Sequence, residues 1–468
     1  MDRHATALEV AAAIRAKEVS PVEVLDGYLA EVDRLDPELH AFSLRDDERA
    51  RADARAAAEA ITGTPADELP PFLGVPLPIK DLNDVAGWPT THGSEASSPD
   101  PAAADGLEIG RLRRAGFVFM GKTTTPELGA ISCTESTRFG PTRNPWDPDR
   151  TPGGSSGGAA AAVASGMAPV AHASDGGGSI RIPASCTGLV GLKPSRNRVT
   201  SDVESLASAS TSGALCTTVA DSAALLDVLT ELDTGAWNVA PPPARPFADE
   251  VGADPGRLRV LVAVDNALGI PPAPACVDAT RSAADLLSDL GHDVREGSPH
   301  YPDPGAFLVG FLTVWATISA AQGLVDPDRM EAHNLASRAQ AQATDSLTYV
   351  EALAQLQAAS REFTSQFGRD FDVLVGPTMA IEPPPVGSVC AGIEDDPNAP
   401  VANSTPMAAY TALFNVSGQP AISLPLHVSV DGLPVGVQFA APPWQEALLI
   451  RLASQIEAAR PWAPLPDR

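Results

Sequence analysis

Gly153-Gly154-Ser155-Ser156-Gly157-Gly158 and Asp175-Gly176-Gly177-Gly178-Ser179-Ile180-Arg181 are two glycine-serine clusters about one short helix apart. Between them the alanine run 159–164 reads as helix and 168–173 as strand. Glycine lets a chain turn tightly and bring bare N–H groups against a reacting atom, and Ser155 and Ser179 carry hydroxyls into that setting. One such cluster would be an ordinary tight turn. Two flanking a helix, the second leading into Ile182-Pro183-Ala184-Ser185, argue for a built site.

Upstream, Val75-Pro76-Leu77-Pro78-Ile79-Lys80-Asp81 ends an apolar run on a lysine. The chain has only four lysines (Lys17, Lys80, Lys122 and Lys193) among 32 Lys and Arg, so wherever a fixed positive charge suffices it uses arginine. A lysine can lose its proton inside a protein and an arginine cannot. Lys17 is expected on a solvated helix. The apolar run before Lys80 predicts burial, which lowers an amine pKa and makes a neutral base available.

Outward from these clusters the section 73–193 alternates short apolar strands, such as Phe117-Val118-Phe119-Met120, with helices, which predicts an α/β sheet carrying helices on its faces. Ser20-Pro21-Val22-Glu23 reads as a helix start: a capping serine, proline at the first position and glutamate three residues on. With a second helix over 46–60, the first sixty residues are expected to be helical. Pro241-Pro242-Pro243 marks a linker, followed by a βαβ-like unit over 258–264, 277–290 and 293–295. A helix over 346–367 is expected to stop at Gly368. The runs 421–430 and 433–440, joined by Asp431-Gly432, read as a hairpin. The stretch 444–459 reads as a closing helix with Leu448, Leu449, Leu452 and Ile456 on one face.

At 468 residues and 44% hydrophobic content the chain can form about three average domains or one large α/β unit. A formal net charge of −27 argues against a nucleic-acid surface, whose affinity depends on cations that neutralise phosphates. Five scattered cysteines (Cys133, Cys186, Cys216, Cys276, Cys390) with no C-x-x-C predict neither a disulfide framework nor a zinc site and fit a reducing cytoplasm. No signal peptide is evident at the N-terminus. The stretch 305–325 is uncharged and approaches membrane-span length, but it holds three glycines, several hydroxyls and a glutamine between flanking aspartates. It is expected to be a buried or pocket-lining helix, and no membrane partner is expected.

Two other motif readings are open to these residues. Gly153-Gly154-Ser155-Ser156-Gly157 satisfies G-x-S-x-G, the nucleophile elbow of α/β-hydrolases, with His427 late enough in the chain to serve as base. That reading leaves Lys80 and the second cluster unexplained. Neither cluster continues to G-K-[ST], as a phosphate-binding loop does.

The stretch 153–194 resembles the signature segment of the amidase signature family. The likeness extends to GVPLPIKDLNDVAGWPTTHG (74–93), 121–146 and FNVSGQPAISLPLHVSVDGLPVGVQ (414–438), and is weakest over 236–401. The spacing agrees, with 75 residues from Lys80 to Ser155 and 24 from Ser155 to Ser179. The run 171–179 looks most like the branch of aryl acylamidases and nylon-oligomer hydrolases, some members of which also cleave carbamates.

The resemblance implies an α/β fold: one large domain, 1–468, with a central mixed β-sheet flanked by helices on both faces. Within it 1–60 would be an N-terminal helical segment, 61–235 the signature core, 236–368 a variable helical and βαβ-like region, and 369–468 the rest of the sheet and the closing helix. It implies Ser179 as nucleophile, Ser155 as relay after a cis Gly154–Ser155 peptide, and Lys80 as base. The amides of Gly176, Gly177, Gly178 and Ser179 would form an oxyanion hole. Asp175 and Arg181 would hold the loop, and Asn144-Pro145-Trp146 would be scaffold. Gly129, Ala130, Ile131 and Ser132 would line the acyl side of the substrate pocket. Cys133 beside them is expected to be an inert core residue. The implied reaction is hydrolysis of a small-molecule amide, with no metal and no cofactor. The alternative is an amidotransferase A-type subunit working in a tRNA-dependent complex. A homodimer is left open.

Overall fold

The computed structural model describes residues 2–321 and 324–466. Its strands are β1 (Phe42–Arg45), β2 (Pro76–Lys80), β3 (Val118–Thr123), β4 (Glu135–Ser136), β5 (Gly140–Pro141), β6 (Ala171–Asp175), β7 (Val190–Lys193), β8 (Thr211–Cys216), β9 (Arg259–Val262), β10 (Asp293–Glu296), β11 (Val373–Pro377), β12 (Ala421–Val428) and β13 (Pro434–Ala440). Eight of them form one sheet in the order β10-β9-β11-β13-β12-β7-β8-β6. The pairs β10/β9 and β9/β11 are parallel and the rest antiparallel, so the sheet is mixed.

Successive strand residues point to opposite faces, and here both faces are dry. In β9, Val260 and Val262 join the large core with helices Val219–Leu229, Pro274–Asp289 and Glu446–Ala459. Leu261 between them joins a second core with Phe363 and Phe414. In β11 the same split puts Val373 and Val375 on one side and Leu374 on the other. Two apolar faces need two layers of helices, and the chain supplies them.

The βαβ unit is present as a parallel pair, β9 and β10, spanned by helix Pro274–Asp289. The hairpin β12/β13 turns at Asp431-Gly432, and the closing helix is Glu446–Ala459 with Leu449, Leu452 and Ile456 buried. Ser20 and Glu23 form the expected capping box, each side chain bonding the other's backbone N–H. Thr6 and Glu9 form a second one, starting helix Ala7–Arg15.

Four expectations are corrected. The first sixty residues are not all helical: after His40 takes a left-handed φ of 52°, residues 42–45 run as β1 against β3. Lys17 lies in the turn after the first helix, exposed, at a φ of 61°. The helix expected to run to Phe367 ends at Thr364, and Gly368 takes its left-handed φ four residues later. The strand expected over 168–173 sits later, as β6, because the polar Ser174 and Asp175 still pair with Ser212 and Thr211.

The 305–325 stretch begins with helix Pro304–Trp315, and its residues 322 and 323 lie outside the described residues. Its aromatic side faces a cavity, as described below. Among the described residues no helix is long and apolar enough to cross a membrane.

Candidate active site

Lys80 ends β2, which pairs with β3 and β1 in a separate three-stranded sheet. Ser174 and Asp175 end β6 at the edge of the large sheet, and the loop 176–180 leads from there into helix Arg181–Thr187. Ser155 and Ser156 precede helix Gly157–Ala164. The site therefore lies where the edges of two sheets meet. Three of the four lysines are buried, at 0–1% exposure for Lys80, Lys122 and Lys193.

Their surroundings separate them. Lys122 Nζ is ion-paired to Asp81 at 3.2 Å. Lys193 Nζ donates to the Pro194 carbonyl at 2.8 Å. Lys80 Nζ has no carboxylate bonded to it among the described residues. It contacts Ser155 Oγ at 2.8 Å, Ser156 Oγ at 2.8 Å and Ser174 Oγ at 3.1 Å. Burial brings its pKa down to about 7, against a small upward pull from Asp175. Ser156 Oγ donates its one proton to the Ser174 carbonyl at 3.2 Å, so on Lys80 it acts as acceptor. Ser156 and Ser174 were not singled out in the sequence, although Ser156 sits inside the first quoted cluster and Ser174 immediately precedes the second.

The Gly154–Ser155 peptide is cis. Gly129, at a φ of 69°, lies so near that a Cβ there would come within 3.2 Å of Ser155 Oγ and 2.9 Å of a Leu82 methyl. Only glycine fits there without moving the hydroxyl.

Ser179 shares a cavity with Ser155 and Ser174, and its hydroxyl makes no hydrogen bond to protein among the described residues. The loop before it is held from below. Asp175 Oδ1 accepts from the Gly178 N–H at 2.7 Å, and Oδ2 from the Ile180 N–H at 3.2 Å. Arg181 donates to both carboxylate oxygens at 2.9 Å, to Gln438 Oε1 at 2.7 Å and to Asn415 Oδ1 at 2.6 Å. Thr411 Oγ1 donates to the Gly177 carbonyl at 2.6 Å. Burial pushes the Asp175 pKa up, but the charge and hydrogen bonds of Arg181 outweigh it and hold the carboxyl well below its usual range.

This corrects the expected cradle. The Gly178 amide is committed to Asp175, because the turn that exposes its neighbours points it inward. The N–H groups of Gly176, Gly177 and Ser179 remain without a protein acceptor among the described residues. Asn144 Nδ2 donates to the Cys186 carbonyl at 2.8 Å and Trp146 Nε1 to the Thr187 carbonyl at 2.8 Å, so this segment ties down the far end of helix Arg181–Thr187.

Two cavities meet at Ser179. One, of about 660 Å³, is lined by Gly129, Ala130, Ile131 and Ser132 together with Phe307, Phe311 and Trp315. The other, of about 1160 Å³, is lined by Ser155 and a wall of polar residues. Ser155 is bonded by Lys80, and among the described residues no histidine bonds to it; His427 lies at the end of β12. The elbow reading with His427 as base therefore has no geometric support. Cys133, Glu135 and Cys390 bring ligand-type atoms within 4.8 Å of one another, a meeting of residues far apart in the chain that their spacing did not reveal. All five cysteines are free.

The amidase family model matches residues 23–450. The chain belongs to the amidase signature family. Relatives within the family match nearly the whole of this chain. A putative amidase, AmiB2, of Mycobacterium tuberculosis (strain ATCC 25618 / H37Rv) is 40% identical over 449 residues, covering 94% of this chain and 93% of that one. A 6-aminohexanoate-cyclic-dimer hydrolase of Pseudomonas sp. (strain NK87) is 35% identical over 472 residues, covering 96% of this chain and 93% of that one. The structure of 6-aminohexanoate cyclic dimer hydrolase complexed with substrate superposes with a TM-score of 0.91 at 35% identity, over 99% of this chain and 98% of that one. The one-domain α/β architecture is thus that of amidase signature enzymes.

Proposed function

We propose that this amidase hydrolyses a carbon–nitrogen amide bond through an acyl-enzyme on Ser179, with Ser155 as proton relay and Lys80 as base. The observation that carries this reading is Lys80. It is a fully buried amine with a pKa near 7, bonded to hydroxyls and, among the described residues, to no carboxylate, beside the cavity that Ser155 shares with Ser179. A base works best when its pKa lies near the working pH.

Neutral Lys80 takes the Ser155 proton as Ser155 takes that of Ser179, whose oxygen bonds to the amide carbonyl carbon. The carbonyl π electrons move onto oxygen, and the N–H groups of Gly176, Gly177 and Ser179 receive that charge; one such donor is commonly worth about 10²–10³ in rate. When the C–N bond breaks, the proton returns through Ser155 to the leaving nitrogen. Water, deprotonated along the same path, then releases the acid. The apolar cavity suits an aryl or alkyl acyl group. A carbamate presents the same carbonyl and is a second substrate of the same chemistry. Base, nucleophile and oxyanion donors all come from the chain, so no cofactor enters these steps. The acidic surface favours a stand-alone enzyme with a small-molecule substrate over a subunit that meets tRNA.

The purified protein alone should therefore release aniline from a simple acyl anilide without tRNA or ATP. Its kcat/KM should rise tenfold per pH unit up to about pH 7 and level off above, because deprotonated Lys80 is the active form. Lys193, also near 7, lines neither cavity at Ser179, so the limb belongs to Lys80. Strict dependence on ATP and tRNA, or a rate that falls across this range, would count against the reading.

A further inference from the structure

The two cavities at Ser179 differ in kind, and the proton path decides which half of the substrate each holds. The leaving nitrogen must receive its proton from Ser155, and Ser155 lines the 1160 Å³ cavity but not the 660 Å³ one. On the acyl-enzyme reading above, the amine half therefore lies in the larger, polar cavity.

Its wall carries seven serines and a threonine but no lysine or arginine among the described residues. Glu108, 3% exposed at the start of helix Leu107–Arg114, is the one ionisable residue among those lining it. Glu108 Oε1 accepts from Asn83 Nδ2 at 2.7 Å and from Ser212 Oγ at 3.1 Å, and no cation bonds either oxygen among the described residues. Arg111, one turn further on, gives its guanidinium protons to the Thr200, Leu229 and Glu231 carbonyls and the Thr200 hydroxyl. Because Asn83 points its NH₂ at Glu108, its Oδ1 is left buried with no donor among the described residues. A buried acceptor without a partner is costly unless a ligand supplies the donor.

Outside this cavity lies another of about 1440 Å³, sharing Val199, Ser201, Val203 and Ser210 with it. Asp202, Glu204 and Asp233 line it, with no lysine or arginine. Asp202 accepts from the Leu107 N–H, Glu204 from Ser208 and Asn238, and Asp233 from the Gly235 N–H. None of the three is ion-paired among the described residues. A path lined by one sign of charge draws in the opposite sign.

We propose that the polar cavity is a leaving-group site for an amine half bearing a second, protonated amino group, such as the amide of an aliphatic diamine, with Glu108 and Asn83 Oδ1 receiving the ammonium. Three hexanoyl amides of matched length test it: N-(4-aminobutyl)hexanamide, neutral N-pentylhexanamide and anionic 5-(hexanoylamino)pentanoate. Their hydrolysis is followed by mass spectrometry at pH 8. The wild-type kcat/KM for the cation should exceed that for the neutral amide by about tenfold or more, with the anion lowest. In Glu108→Gln the cation-to-neutral ratio should fall to within about threefold, a change that a merely structural loss would not produce. Should that variant not fold, the exposed pair Asp202→Asn with Glu204→Gln should lower the same ratio and its sensitivity to salt.

Equal rates for all three amides, a preference for the anion, or an unchanged ratio in whichever variant folds would overturn the leaving-group site while leaving amide hydrolysis standing. No turnover of any amide, together with an unreactive Ser179, would overturn the hydrolase reading and this one with it.

Discussion

Lys80→Arg should lower kcat/KM by about 10²–10⁴-fold, as far as Lys80→Ala does. The substitution keeps a positive side chain of similar reach, so a lysine that merely supplied charge would tolerate it. A guanidinium cannot release its proton in a protein, so the Ser155 hydroxyl would face a group unable to accept from it. The pocket around Nζ is fully buried and shaped by three hydroxyls, and arginine also brings a larger head into it. Lys80→Met therefore belongs beside it: it is neutral, of similar volume and equally without a base, and it should be as inactive. Thermal unfolding shows whether each variant is folded. Turnover near the wild-type level in either would remove Lys80 from the proton path.

Arg181→Met should destabilise the fold by about 3–5 kcal/mol, the usual cost of leaving one half of a buried pair behind. Arg181 is 0% exposed and holds Asp175, Gln438, Asn415 and the Thr411 carbonyl together. Methionine fills part of the volume, but it leaves the Asp175 carboxylate buried and without its cation. Those contacts join the loop before Ser179 to β13 and to the helix Ala412–Ser417, so activity should fall with stability as Gly176 and Gly177 lose their fixed aim. Urea unfolding, read as a change in midpoint at constant slope, measures the first effect. A loss under about 1 kcal/mol would mean that the loop is held by something other than this pair.

Local rules carried much of the fold. The Ser20/Glu23 box, the Asp431-Gly432 turn and the β9–β10 crossover each depend on a few neighbouring residues, and the structure has all three. Pairing between distant segments was not legible. Strand β1 is four half-buried residues whose identity comes from β3, some eighty positions away, and β2 and β3 lie outside the main sheet altogether.

At the site, glycine and serine spacing pointed to the hydroxyls, and the scarcity of lysine pointed to Lys80. Ser156 and Ser174 were hidden because they complete the surroundings of the Lys80 amine, which no spacing displays. The turn that commits the Gly178 amide to Asp175 depends on backbone direction and not on residue type. Glu108 gave no signal, since one glutamate at a helix start is ordinarily a favourable first-turn charge. Only the folded chain places it in the wall of the cavity that Ser155 and Ser179 share.

The most direct measurement is the site of covalent capture. The protein, incubated with a serine-directed fluorophosphonate and digested, should carry a single adduct on Ser179 by mass spectrometry, formed far more slowly in Lys80→Met. An adduct on Ser155, or undiminished turnover with Ser179 unmodified, would contradict the proposed nucleophile and the proton path behind it.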